Sequence, residues 1–133
     1  MSTRLFRVRQ LFAAALFVTG ACSSTDSLAP FQPEVTNAPD NFQAQATGVT
    51  SVSSTRSYTW QNSGTRASIN HSTTTTAGST RLVIRDAAGK VVYDKGLVAS
   101  LNEPTTAGAA GSWQIELTMT AYSGTMNFRV QKL

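Results

Sequence analysis

Residues 111–132 read GSWQIELTMTAYSGTMNFRVQK. Trp113, Ile115, Leu117 and Met119 alternate with Gln114, Glu116 and Thr118. After Ala121–Gly124 the pattern resumes, with Met126, Phe128 and Val130 alternating with Asn127, Arg129 and Gln131. Successive side chains of an extended chain point to opposite faces, so apolar residues at every second position give one apolar and one polar face. Two strands are predicted, joined by a turn over Ala121–Gly124 with its glycine.

The same period runs backward through the chain. Leu82 and Ile84 alternate with Arg81, Val83 and Arg85, and Val91 and Tyr93 continue beyond Asp86-Ala87-Ala88-Gly89-Lys90. That five-residue link predicts a hairpin in which Gly89 takes a left-handed conformation and closes a type I turn with a bulge. Further back, Ala67, Ile69 and His71 share a face, Asn62-Ser63-Gly64 marks a turn, and Tyr58 and Trp60 alternate with Ser57, Thr59 and Gln61. Residues 97–101 form another short apolar segment and 102–111 a loop. The polar run Ser72–Thr76 suits an edge strand that discourages pairing with other chains. About seven short strands with turns between them, and no helical periodicity, predict an all-β fold: one antiparallel β-sandwich over residues 42–133.

The span LVIRDAAGKVVYDKG (82–96), followed by GSWQIELTMTAYSGTMNFRVQ (111–131), resembles a recurring shape in exported bacterial β-domains. The resemblance covers roughly residues 80–132. It is a grammar of strands and turns, so it implies a fold and no activity.

The N-terminus carries a second message. MSTRLFRVRQ holds Arg4, Arg7 and Arg9 without an acid, LFAAALFV (11–18) is apolar throughout, and Thr19, Gly20 and Ala21 are small. A basic stretch, a short apolar stretch and small residues before a cut describe a secretory signal peptide, here residues 1–21. The apolar run falls far short of the ~20 residues a helix needs to cross a bilayer. Cys22, the sole cysteine, stands at the expected cut. Val18-Thr19-Gly20-Ala21-Cys22 resembles the lipobox of bacterial lipoproteins, with Thr19 where leucine is commonest. In that family the cysteine is lipidated on sulfur and the signal is cut just before it, so the resemblance implies lipidation of Cys22 and a membrane as partner. Cleavage by ordinary signal peptidase, with Cys22 a bystander, is the alternative. In the family, an aspartate after the cysteine commonly retains the protein at the inner membrane. Ser23 in that place implies the outer membrane of a two-membrane cell, and so a location in the cell envelope.

Residues 22–41 contain Pro30, Pro33 and Pro39 and little apolar periodicity. They read as a flexible tether. The alternative is an ordered arm that packs Phe31 and Val35 on the domain.

The formal charge of +4 comes mostly from the export signal, since three of the eleven basic residues precede Cys22. No basic stripe of the kind nucleic-acid binding needs is present, and none is expected as a partner. Chemistry-bearing residues are sparse. His71 is the only histidine, no G-x-S-x-G elbow is present, and one histidine with one lipidated cysteine cannot supply a zinc site. Asp86 reads as a hairpin residue and Glu116 as solvent-facing, so no carboxylate pair is set up for glycoside hydrolysis. No catalytic residue, metal or cofactor is expected. Two readings follow. One is a non-enzymatic envelope lipoprotein whose β-sandwich has a structural or protein-interaction role. The other is a glycan-binding module using Tyr122, Trp60 and Trp113 as stacking rings, with Tyr122 in its turn the ring expected to be exposed. Burial of those rings is the observation that separates the two.

Overall fold

The computed structural model describes residues 26–133; the expected signal peptide and the lipidation expected at Cys22 lie outside the described residues. The described chain is all-β and antiparallel. After a short 3₁₀ turn at Ala29–Phe31 come β1 (Glu34–Ala38), β2 (Asn41–Asn62), β3 (Ala67–His71), β4 (Thr74–Arg85), β5 (Val91–Lys95), β6 (Leu101–Pro104) and β7 (Gly111–Lys132). The all-β antiparallel expectation holds, with one correction: the strands are not all short, because β2 and β7 each run for 22 residues. All seven belong to one hydrogen-bonded sheet with the order β1-β2-β7-β3-β6, and β4 and β5 extend it from the remaining length of β7.

β2 and β7 pair along nearly their whole length, from Asn41 opposite Gln131 to Asn62 opposite Gly111. The other edge of β7 carries β3 at residues 128–132 and β4 at residues 114–125. A straight 22-residue strand would be ~70 Å long at ~3.3 Å per residue. Yet the ends of β2 meet. The Asp40 N–H donates to the Gln61 carbonyl at 2.8 Å, and the Trp60 indole N–H donates to the Ala38 carbonyl at 3.0 Å. The sheet is therefore folded back on itself across its middle.

The fold line is built from bulges. In β2 the buried residues Phe42, Ala44 and Ala46 keep a spacing of two, then Val49 and Val52 follow at spacings of three. Each three-residue step inserts one extra residue, which bends and twists the strand while the apolar side chain still points inward. Left-handed backbone marks each site: Gly48 (φ 63°) and Ser51 (φ 49°) in β2, Ala121 (φ 45°) in β7 and Gly78 (φ 70°) in β4. Hydroxyls across the β2–β7 ladder satisfy the displaced amides. The Ser51 N–H donates to Ser123 Oγ and the Ala121 N–H to Ser53 Oγ, both at 2.8 Å. The predicted turn at 121–124 is thus a bend inside one continuous strand.

The inward faces of the two halves share one core, which includes Phe42, Trp60, Ile69, Leu82, Ile84, Trp113, Ile115, Leu117, Phe128 and Val130. Phe42 and Tyr58, from opposite halves of β2, lie 5.1 Å apart between ring centroids, and Phe42 sits 5.8 Å from Phe128. Trp60 and Trp113 meet edge to face at 5.9 Å.

The segment expected to be a tether is ordered from Asp26 onward. Leu28 is buried in the core and Phe31 packs against it, while Val35 is exposed. The Asp26 carboxylate accepts the Leu28 N–H at 2.9 Å and pairs with Arg56. β1 then zips onto β2 from Glu34 opposite Gln45 to Ala38 opposite Asn41. The folded domain begins at Asp26 among the described residues, and not at Phe42.

The 86–90 hairpin has the expected form, with Gly89 at φ 84° and its N–H on the Asp86 carbonyl at 3.0 Å. The Thr74–Ser79 stretch is exposed and pairs with β7 alone, because β5 joins β4 only from Leu82 onward.

Candidate functional site

The three rings considered as a stacking surface are all inside. Trp60, Trp113 and Tyr122 are each 0% exposed. Their polar ends are also occupied: the Trp113 indole donates to the Ala109 carbonyl at 2.7 Å and the Tyr122 hydroxyl to the Thr74 carbonyl at 2.9 Å. Tyr122 was expected to be exposed in a turn. It is buried because the bulge at Ala121 shifts the alternation by one residue and rotates the ring inward. No aromatic platform is formed by these rings, and the glycan-binding reading loses the residues that supported it.

The structure brings together a polar group whose members share no pattern along the chain. His71, at the end of β3, is buried, and both its ring nitrogens are engaged. The Val98 N–H donates to Nδ1 at 3.3 Å, and Nε2 lies 3.1 Å from the Tyr93 hydroxyl. With Nδ1 accepting, the neutral ring carries its proton on Nε2 and gives it to the tyrosine oxygen. The Tyr93 hydroxyl in turn faces the Glu103 carboxylate on β6, which is paired with Lys95 at 2.6 Å. The chain of contacts thus links β3, β5 and β6, whose members are brought together by the β3–β6 ladder and the 96–100 link.

Burial sets the protonation of this group. Desolvation holds the His71 imidazole below the ordinary histidine value, with Glu103 opposing and Lys95 adding to the shift. Desolvation, then the hydrogen bond to Glu103, pushes the Tyr93 phenol well above its usual value. The Lys95 ammonium and the Tyr93 hydroxyl hold Glu103 low against partial burial. At neutral pH the set is a neutral imidazole, a neutral phenol and an ion pair, in which the buried Glu103 Oε1 meets the Lys95 ammonium without a well-aligned hydrogen bond. It joins three strands and presents no free base to solvent. The only advance signal was the phase of His71 with Ile69; Tyr93, Lys95 and Glu103 lie on two other strands.

Asp86 has the predicted hairpin role and a further one. Its Oδ1 accepts the Ala88 and Lys90 N–H groups at 3.0 and 2.8 Å, and its Oδ2 accepts the Ala109 N–H at 2.8 Å. The Ala109 bond is the main cause of its depressed pKa. The carboxylate therefore ties the hairpin to the 105–110 loop. Gly108 must lie against it, since a Cβ there would sit 2.7 Å from the Asp86 Cβ.

Two open grooves mark the surface among the described residues. One of about 370 Å³ lies where the strand ends gather, lined by Pro39, Asp40, Gln61, Asn62, Ser63, Ala110 and Gly111. Another of about 270 Å³ runs between the 3₁₀ turn and β2, lined by Phe31, Glu34, Gln45 and their neighbours. Among the described residues no three His, Cys, Asp or Glu side chains converge to hold a metal, and no helix is long and apolar enough to cross a membrane. Comparison with known proteins finds no matching family model and no similar curated protein.

Proposed function

We infer that this chain is an exported lipoprotein of the cell envelope, held to a membrane through lipid on Cys22, whose β-domain serves a structural or protein-contact role without catalysis. One observation carries the reading: a basic stretch, an apolar stretch and small residues end at the only cysteine of the chain. Two acyl chains or more are needed for firm attachment, since a single chain at ~0.8 kcal/mol per buried CH₂ holds a protein only reversibly. Lipoprotein maturation supplies them. Engagement of both His71 nitrogens inside the core supports the absence of a catalytic role, and Ser23 supports the outer membrane as the destination. The test is Cys22→Ser in the producing cell. The variant is expected to lose incorporated palmitate and to move from the membrane fraction to the soluble exported fraction; continued membrane fractionation refutes the anchor.

A further inference from the structure

The distribution of charge over the folded sheet is uneven. The three segments that cross the fold line, residues 46–55 of β2, 72–80 of β4 and its approach, and 119–128 of β7, contain no Lys, Arg, Asp or Glu. Their exposed side chains are hydroxyls and methyls: Thr47, Thr50 and Ser51 on β2, Thr75 and Ser79 on β4, and Thr120 on β7. The opposite end, where the strand ends gather, carries Asp40, Arg66, Arg85, Lys90 and Lys132. From Ser54 to Asn62 along β2 the two ends are ~26 Å apart at ~3.3 Å per residue.

The chain enters the domain beside the neutral end. Asp26 is paired with Arg56, and the 3₁₀ turn of Ala29–Phe31 lies over the groove floored by Gln45, Ala46 and Thr47. Only three residues separate Cys22 from Asp26. Whatever their conformation, four Cα–Cα steps span at most ~14 Å. A domain of this length has a radius of gyration near ~13 Å, hence a radius near ~17 Å as a sphere. With a tether shorter than that radius, the attachment point stays within ~80° of the pole that touches the membrane.

We propose that the uncharged Ser/Thr pole at the fold line rests against the lipid surface that holds Cys22, and that the charged pole of strand ends, with its groove at Asp40, Gln61 and Gly111, is the one displayed. This rests on the anchor reading above. Two independent observations support it: the tether length keeps the attachment point in the hemisphere that faces the bilayer, and the fold-line segments of that hemisphere carry no charge to desolvate against headgroups, its Asp26 and Arg56 being paired with each other and Glu34 accepting the Gln45 side-chain N–H. Burying an unpaired charge there would be costly, whereas hydroxyls can hydrogen-bond to headgroups and interfacial water.

The experiment uses the lipidated full-length protein in vesicles of phosphatidylethanolamine and phosphatidylglycerol containing a headgroup-nitroxide lipid. Because Cys22 is the only native cysteine and its sulfur is acylated, Thr50→Cys and Ala88→Cys each provide a single thiol for a fluorophore, one at each pole. Quenching of the Thr50 label at least severalfold stronger than that of the Ala88 label is expected. Insertion of thirty Gly/Ser residues after Thr25 is expected to abolish the difference. Equal quenching at the two sites, or stronger quenching at Ala88, in protein that remains vesicle-bound overturns the orientation and leaves the anchor standing. Protein that is exported but carries no acyl chain by intact mass overturns the anchor and this orientation with it.

Discussion

The fold line makes a quantitative comparison available between two glycines in nearly the same backbone conformation. Gly48 and Gly78 have φ of 63° and 70°, so alanine at either pays the left-handed penalty, roughly 1 kcal/mol or somewhat more. Their surroundings differ. A Cβ at Gly48 would have nothing within 4 Å, whereas one at Gly78 would run into the carbonyls of Thr120 and Ala121, at the bulge of the neighbouring strand. Those carbonyls belong to a ladder flanked on both sides and cannot move alone. Overpacking adds ~1–3 kcal/mol. Gly48→Ala should therefore cost ~1 kcal/mol and Gly78→Ala ~2–4 kcal/mol, a large share of the ~5–15 kcal/mol that holds a domain together. Urea unfolding of the domain from Ser23 onward, followed by tryptophan fluorescence from the buried Trp60 and Trp113, measures both. Equal m-values would show that the difference lies in the native state. If the two variants agree within ~0.5 kcal/mol, the packing of β4 against the Ala121 bulge is not what shapes the bend. Ala121→Gly, at φ 45°, is the complementary variant: it relieves a left-handed penalty of ~1–2 kcal/mol against ~0.4–1 kcal/mol of added freedom in the unfolded chain, and should stabilise by up to ~1 kcal/mol.

Two further outcomes follow from the buried polar groups. His71 is held neutral by burial, and its Nδ1 must accept the Val98 N–H. Its folded pKa lies below the unfolded value near ~6.5, so its contribution is complete above that pH and is lost as pH falls through the folded pKa. The lowered carboxylates Asp40, Asp86, Asp94 and Glu103 lose their contributions only under more acid conditions. Unfolding midpoints should therefore fall between pH 7 and pH 5 in the native chain and be flat over that window in His71→Gln; an equal slope in the variant would place the titration elsewhere. Asp86→Ala removes the acceptor shared by the Ala88, Lys90 and Ala109 amides. Hydrogen exchange at these three should speed up by on the order of tenfold, the equivalent of one net hydrogen bond, while amides of the β2–β7 ladder are unchanged. Unchanged exchange at Ala109 would show that the loop is held without the carboxylate.

Parts of this architecture were legible residue by residue. Alternation at Trp113–Met119 and Met126–Val130 identified the buried face of β7 on each side of the bend, and Asp86–Lys90 announced its hairpin. Tyr122 was misplaced because a turn and a bulge use the same local vocabulary. Ala-Tyr-Ser-Gly suits either, and only the ladders to Val49 and Val52 on β2 and to Thr75 and Ala77 on β4 make it a strand. For a related reason the ordered arm stood in the sequence only as the alternative to a tether. Three prolines and sparse apolar residues describe a tether, yet Leu28 needs just one cavity in the folded sheet, and Asp26 one arginine, to be fixed.

The sequence by itself determined the all-β class and the inward residues of most strands, because each depends on neighbours a few positions apart. The tertiary structure decided that residues 41–62 and 111–132 are single bent strands, that the three large rings are core, and that His71, Tyr93, Glu103 and Lys95 form one group. Those outcomes depend on which distant segment supplies the partner for each amide, ring and charge, and the bulges that select the partner shift the alternation without leaving a signature of their own.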